Sequence, residues 1–320
     1  MPTKSGGSSA FLDGFGRCAD TNTRYAIMNR VIAGGSFVPI RVALLNQGHT
    51  DYDGGLGYWI QWGRRTDDNT HHHIGWARRG SDRTLQFNTT AGTTASAIPG
   101  RTTSGSIMRN VSVIQYNANT GQVTSVAHQN LFIPSGSNFE SWSLGTVSNM
   151  WGNHTTAASQ QTRNNAPLGV TGTARNWSFP AHSPCPPGWR VPSRWEWGDM
   201  LGGSANTNGF YFTGTAGQTL GTVNQWQWRE SDPINNTARG VGGRIMTRTD
   251  SQAQVFLPAG SRRSRHDGAI DSTQNGHFWS STPSNPASAS AWRVTITRTS
   301  IQAGSNSSGQ SWGLAVRCIR

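Results

Sequence analysis

Charge is scarce in this sequence, and acid is scarcest: 13% of the 320 residues are charged, with 15 Asp and Glu against 27 Lys and Arg. No block of like charge forms a tail, and the formal net charge of +12 comes from dispersed arginines: Arg64, Arg65, Arg78, Arg79, Arg83, Arg244, Arg248, Arg262, Arg263 and Arg265. Such an excess attracts acidic macromolecules at long range. Without a basic helix or arm to organise it, nucleic acid is not the expected partner. Long apolar runs are also missing. Nothing approaches the roughly 18 residues of a membrane-spanning helix, so no membrane insertion is expected. The opening MPTKSGGSSAFLDGFG lacks the apolar stretch of a secretory signal, which leaves processing, another export route or membership of a released particle. Cysteine is limited to Cys18, Cys185 and Cys318, and three thiols cannot all pair within one chain.

Large rings and turn residues are abundant. Fourteen Trp and 11 Phe concentrate burial capacity within a chain that is only 34% apolar, enough for a substantial core. Thirty-nine Gly and 14 Pro, with Asn, Ser and Thr between the aromatic clusters, favour turns and short strands over long helices.

Residues 1–22 read as a weakly specified, flexible or assembly-related leader, and 23–320 as one elaborated domain. In YAIMNRVIAGGSFVPIRVALLN two short strands are expected, with Gly34 and Gly35 at the turn. GLGYWIQWGRR (Gly55 to Arg65) suggests another strand, with Tyr58, Trp59 and Trp62 as core anchors. Residues 66–183 are polar and uneven and read as an insertion or second small lobe, with short strands at Ser106–Tyr116 and Gln129–Pro134. From Pro184 the pattern sharpens. In CPPGWRVPSRWEWGDMLGG, Ser193 and Glu196 have the spacing of a capping box, predicting a helix from Arg194 to Leu201. Short strands are expected at Phe210–Thr213, Val255–Leu257, Gly276–Ser281, Trp292–Thr297 and Trp312–Ile319. This is a loop-rich α+β domain of short antiparallel strands and few short helices. The alternation of strands and long crossover helices that a Rossmann sheet needs is missing. Cys185 and Cys318 bracket the patterned region and are the preferred disulfide, which would fasten its entry to its last strand with a closure entropy worth about 5 kcal/mol. Two buried thiols is the alternative, and Cys18 is left buried, free or intermolecular.

The order of these motifs resembles the Fibrobacter succinogenes major paralogous domain family. The likeness starts weakly with AGGSFVPIRVALLN and GLGYWIQWGRR, becomes specific at CPPGWRVPSRWEW, and continues through VFLPAGSRR, GHFWSST, AWRVTI and SWGLAVRCIR. It is strongest over 184–320. It implies a C-type-lectin-like fold, related to that of formylglycine-generating enzymes, with Cys185 and Cys318 as the paired cysteines. Gly188, Trp189, Pro192, Glu196 and Trp197 then belong to the entry and capped helix, and Trp279, Ser280, Ser281 and Trp292 to the framework. Similar folds serve as variable proteins of diversity-generating retroelements, which display a changeable surface near the final strands. The matching surface here runs through Asn275, His277, Asn285, Arg293, Arg298, Gln302, Asn306, Gln310 and Trp312, with Ser284, Ser300 and Ser308 between them.

Other chemistries fit less well. His71, His72 and His73 are adjacent, which does not aim them at one ion, and a solvated loop is the expected reading. Asp51 with Asp53, or Asp67 with Asp68, meets part of what calcium requires, so calcium has no specific motif and no cofactor is expected. Ser280 and Ser281 beside His277 lack a nucleophile elbow and an acidic third member, and Glu196 is explained by its capping spacing. The expectation is a noncatalytic extracellular or cell-surface protein that binds a surface glycan or protein through loops near the final strands. Trp312, Arg293 and Arg298 are the principal contacts in that reading. The alternative is a structural, homo-oligomeric subunit of an extracellular filament, sheath or virion.

Overall fold

The computed structural model describes residues 25–31, 36–44, 46, 59–63, 77–79, 85–87, 116–117, 122–123, 151, 184–185, 189–202, 210–216, 218–230, 233–234, 237–238, 242–265, 270–271, 275–284 and 290–320. Among them the chain is mostly β-strand with one short helix. β1 (Tyr25–Val31) and β2 (Phe37–Ala43) form an antiparallel pair, and β3 (Ile60–Gln61) follows. Two small ribbons come next: β4 (Ala77–Arg79) with β5 (Leu85–Phe87), and β6 (Tyr116–Asn117) with β7 (Gln122–Val123). Helix α1 (Arg194–Leu201) precedes β8 (Phe210–Thr213), β9 (Asn224–Arg229), the ribbon of β10 (Pro233–Ile234) and β11 (Thr237–Ala238), β12 (Gly243–Arg248) and β13 (Gln254–Pro258). The chain closes with β14 (Arg262–Arg263), β15 (Ile270–Asp271), β16 (Gly276–Pro283), β17 (Ser290–Ile296), β18 (Ser300–Gly309) and β19 (Gly313–Leu314).

The helix occupies the predicted span because its cap does what the spacing requires. Ser193 Oγ accepts from the Glu196 amide at 3.2 Å, and Glu196 accepts from the Ser193 amide at 2.9 Å. The same carboxylate receives Arg30 at 3.0 Å and two nitrogens of Arg190, tying the cap to β1 and to the segment before the helix. Glu196 is fully buried. Burial alone would raise its pKa, but the charges and hydrogen bonds of Arg190, the charge of Arg30 and the Ser193 amide hold it at about 2.

Among the described residues, three sheets have three or more strands. The principal one is antiparallel, ordered β16-β17-β18-β8; a second is β13-β12-β9, and a third is β15-β14-β19-β3. One face of the principal sheet sends Phe278, Val294, Ile296, Ile301 and Ala303 into a core shared with Trp197, Met200 and Leu201 of α1. A second cluster joins Ile60, Trp62, Trp151, Trp189, Trp279 and the Cys185–Cys318 pair. Buried indoles lock segments distant in sequence: Trp279 Nε1 donates to the Ile60 carbonyl at 2.6 Å and Trp62 Nε1 to that of Ser280 at 2.8 Å. Cys185 and Cys318 are bonded, with Cα atoms 5.8 Å apart.

Several expectations need correction. Trp312–Ile319 is not a continuous strand: pairing is confined to Gly313–Leu314, with isolated bridges at Ala315 and Ile319. Gly55–Arg65 contributes only Ile60–Gln61 within its described part. Ser300–Gly309, rich in Asn, Ser and Gly, is the longest strand described here, because it is paired on both sides, by β17 and β8. β9 and β12 were not anticipated. Gly34, Gly35, Tyr58 and the segments 106–115 and 129–134 lie outside the described residues.

Part of the basic excess is internal. Arg244 is fully buried and donates to the carbonyls of Trp226 (2.7 Å), Arg298 (3.0 Å) and Thr297 (3.1 Å); Arg317 donates to those of Phe256 (2.7 Å) and Ala43 (2.9 Å). A planar five-donor guanidinium can hold carbonyls of separate segments at once, where lysine offers three donors from a single nitrogen. Desolvation lowers Arg244 to about 10 and Arg317 to about 9, leaving both charged at neutral pH. These arginines are architecture and do not add to a surface patch.

Candidate functional site

The face of the principal sheet opposite the helix carries part of the predicted surface. Side chains alternate along a strand, and the register aligns His277, Thr295 and Gln302 in one cross-strand row, with Trp279, Arg293 and Asn306 in the next. A bulge in β18 between these rows, where Val294 faces Ala303 and Arg293 faces Asn306, re-aims the strand at this point. His277 is 4% exposed and its Nδ1 lies 3.4 Å from Thr295 Oγ1. Burial, then the charges of Arg293 and Arg262, push its pKa well below the usual value, so the ring is neutral at physiological pH.

Arg262 therefore belongs to this cluster, although no binding role was expected for it. Its guanidinium lies 4.0 Å from the centroid of the Trp312 ring, a stacked cation–π pair. Both residues are partly exposed. The turn that delivers Arg262 is strained: Ser261 has φ 65°, a left-handed conformation unfavourable for a side chain with a Cβ. Its amide is held by the Asn275 carbonyl at 2.8 Å, and its carbonyl accepts from Trp59 Nε1 at 3.3 Å. Asn275 is thus fixed beside Arg262. Two adjacent arginines after AGS were the only signal in the sequence, and one of them, Arg263, is fully buried over Trp59.

The structure brings His277, Arg293, Gln302 and the Asn306 position onto one face, with Trp312 and Asn275 near its Arg262 edge. Two of the predicted contacts are interior: His277 supports the row from within, and Gln310 is 1% exposed, its carbonyl receiving the Trp62 amide at 3.1 Å. Arg298 is exposed at the β17–β18 turn and pairs with Glu230 at 2.7 Å, an exposed ion pair that contributes little to stability. Ser300 and Ser308 are buried, and Ser284 donates to the Ser290 carbonyl at 3.1 Å. Asn285 lies outside the described residues. So do His71–His73, Asp51, Asp53, Asp67, Asp68 and Cys18.

Ser280 makes ordinary framework bonds. Its Oγ donates to the Trp292 carbonyl at 2.9 Å and accepts from the Thr282 amide at 3.2 Å. Among the described residues no three His, Cys, Asp or Glu side chains gather as a metal site, and no helix is long and apolar enough to cross a membrane.

A β-rich α+β domain, closed by a disulfide and built on a capped helix with tryptophan-locked strands, defines the structural class. Residues 137–320 match the Fibrobacter succinogenes major domain, and the chain belongs to that family. The match starts upstream of Pro184 and so includes Trp151, which packs 5.6 Å from Trp62 between ring centroids. No curated protein and no solved structure matches the chain.

Proposed function

We propose that this chain is a noncatalytic recognition protein, working outside the cell or at a cell surface, that binds a glycan or a protein through the face formed by its final strands. The observation that carries this reading is the Arg262–Trp312 stack, whose Arg262 acts together with Arg293 on His277 of the principal sheet, the other face of that sheet being fixed in the core. Stacked arginine and tryptophan present a rigid, amphipathic contact area that loses little conformational freedom on binding. The disulfide fits an oxidising compartment. A C-type-lectin-like arrangement of strands and loops is the finer fold assignment that goes with this function.

A second reading is favoured by a separate observation. Tyr25, Ile27 and Phe37 are large apolar side chains left exposed on the β1–β2 hairpin, and such residues on one element mark contact surfaces. In that reading the chain is a subunit of an extracellular filament, sheath or virion. The discriminating experiment is binding of the oxidised, folded protein to a broad panel of glycans and surface proteins, with competition by the best ligand, alongside its mass in solution. A competable hit from a monomer supports recognition. Regular oligomers that ignore the panel overturn it in favour of assembly.

A further inference from the structure

The outer face of the β1–β2 hairpin is made like an interior surface. Met28, Ile40 and Val42 belong to the core, so the alternate positions of both strands face outward. Of these, Tyr25, Ile27, Phe37, Pro39 and Arg41 are exposed. Among the described residues, the exposed large apolar side chains are Tyr25, Ile27 and Phe37, all on this hairpin. An antiparallel pair with one wet face alternates apolar with polar residues, whereas strands apolar on both faces are normally covered on both. The exposed positions carry a single charge. Arg41 lies opposite Ile27 with its guanidinium carbon 4.9 Å from the centroid of the Tyr25 ring, and no carboxylate pairs with it among the described residues.

A cover for this face needs apolar side chains on either side of an acid. A second copy of the hairpin does not fit, because a two-fold contact offers Arg41 another arginine or more apolar surface and no carboxylate. Residues 10–16, which lie outside the described residues, read AFLDGFG. In an extended chain Phe11, Asp13 and Phe15 share one side, about 6.7 Å apart in succession. The outward rows of the hairpin follow the same two-residue step: Tyr25 with Ala43, Ile27 with Arg41, Asn29 with Pro39. Asp13 placed on Arg41 therefore sets the two phenyl rings over the rows on either side. The chain also reaches. Tyr25 follows Phe15 by ten residues, up to about 33 Å of extended chain against about 24 Å for the whole of β1. The intervening GRCADTNTR supplies Gly, Asp and Asn for the reversal, and so short a tether holds the segment at an effective concentration in the millimolar range.

We propose that residues 10–16 dock on the outer face of the hairpin of the same chain, with Phe11 and Phe15 astride an Asp13–Arg41 ion pair. The docked segment takes this face out of contact with other copies. It goes beyond the recognition reading and does not rest on it.

The test uses the full oxidised chain, in which Cys18 is the one cysteine outside the disulfide. Cys18→Ser with Leu12→Cys puts a nitroxide label on the side of the segment turned away from the hairpin. Relaxation broadening is expected at the Phe37 and Arg41 amides and not at those of the Arg298–Thr299 turn. Asp13→Arg turns attraction into repulsion and is expected to weaken docking about fivefold; adding Arg41→Asp is expected to restore it. Broadening no stronger at the hairpin than at the turn overturns the docking, and broadening indifferent to both charge reversals overturns the Asp13–Arg41 register. Spin-labelled chains are also mixed with isotope-labelled chains that carry no spin label. Broadening at the same amides in that mixture hands the face to another copy's segment and overturns the intramolecular assignment.

Discussion

The two faces of the β16-β17-β18-β8 sheet are made from different residues and hold their neighbouring arginines differently. Toward the helix, Val294, Ile296, Ile301 and Ala303 pack against α1, whose buried charge at Glu196 is held by Arg30 and Arg190. Away from the helix, the arginines stack on a ring or crowd His277, and Trp312 stays partly exposed. An arginine that is enclosed and paired with a carboxylate or carbonyls holds the fold together. An arginine that is stacked and partly open is, in the proposed reading, the one offered to a ligand. Position along the sequence does not distinguish the two, since Arg262 and Arg263 are neighbours and point to opposite fates.

Breaking the framework should cost most. Cys185→Ser with Cys318→Ser opens a 133-residue loop, and urea denaturation should show a loss of up to about 5 kcal/mol, less where the unfolded chain retains structure. Glu196→Gln leaves Arg30 and Arg190 without their buried counter-charge and is expected to lose about 3–5 kcal/mol by the same measurement. The acid limb follows from this group. Its carboxyl sits at about 2 rather than the ordinary 4.5, so its contribution is complete above 4.5 and disappears as pH falls toward 2. The wild type should lose about 3 kcal/mol across that window, and Glu196→Gln should lack that part of the slope.

Smaller effects sharpen the contrast. Gly304→Ala places a Cβ against Arg194 at a positive φ and should lower stability by about 1–2 kcal/mol, read as a reduced Tm. His277 has its pKa pushed down, so the folded state keeps it neutral. Its contribution is therefore present above the ordinary His pKa of about 6.5 and is lost as pH falls below it. His277→Gln should flatten that limb of the stability curve.

Much of this arrangement could be read before any coordinates. The Ser193 and Glu196 spacing specified the helix to its observed ends, because capping is local chemistry. GHFWSST and AWRVTI specified two strands through β-branched and aromatic residues. NQWQWR in β9 alternates buried and exposed, the period-two pattern of a half-buried strand. SIQAGSNSSG could not be recognised as a strand, since its hydrogen bonds come from β17 and β8 and its own propensity favours turns. The site was half legible: residues two apart on a strand share a face, which gathers Arg293 with Thr295 and Trp279 with His277. Placing Arg262 beneath Trp312 needed the third sheet, whose strands are two residues long and leave almost no pattern.

The most direct test of the central claim is a paired measurement on Arg293→Ala with Trp312→Ala: Tm and binding to the best ligand from the glycan and surface-protein panel. The account predicts a variant that still folds, with a stability loss of about 2–4 kcal/mol because Trp312 packs against the second core cluster, and binding reduced by at least about tenfold. Full binding by a folded double variant would contradict it and move the recognition surface elsewhere.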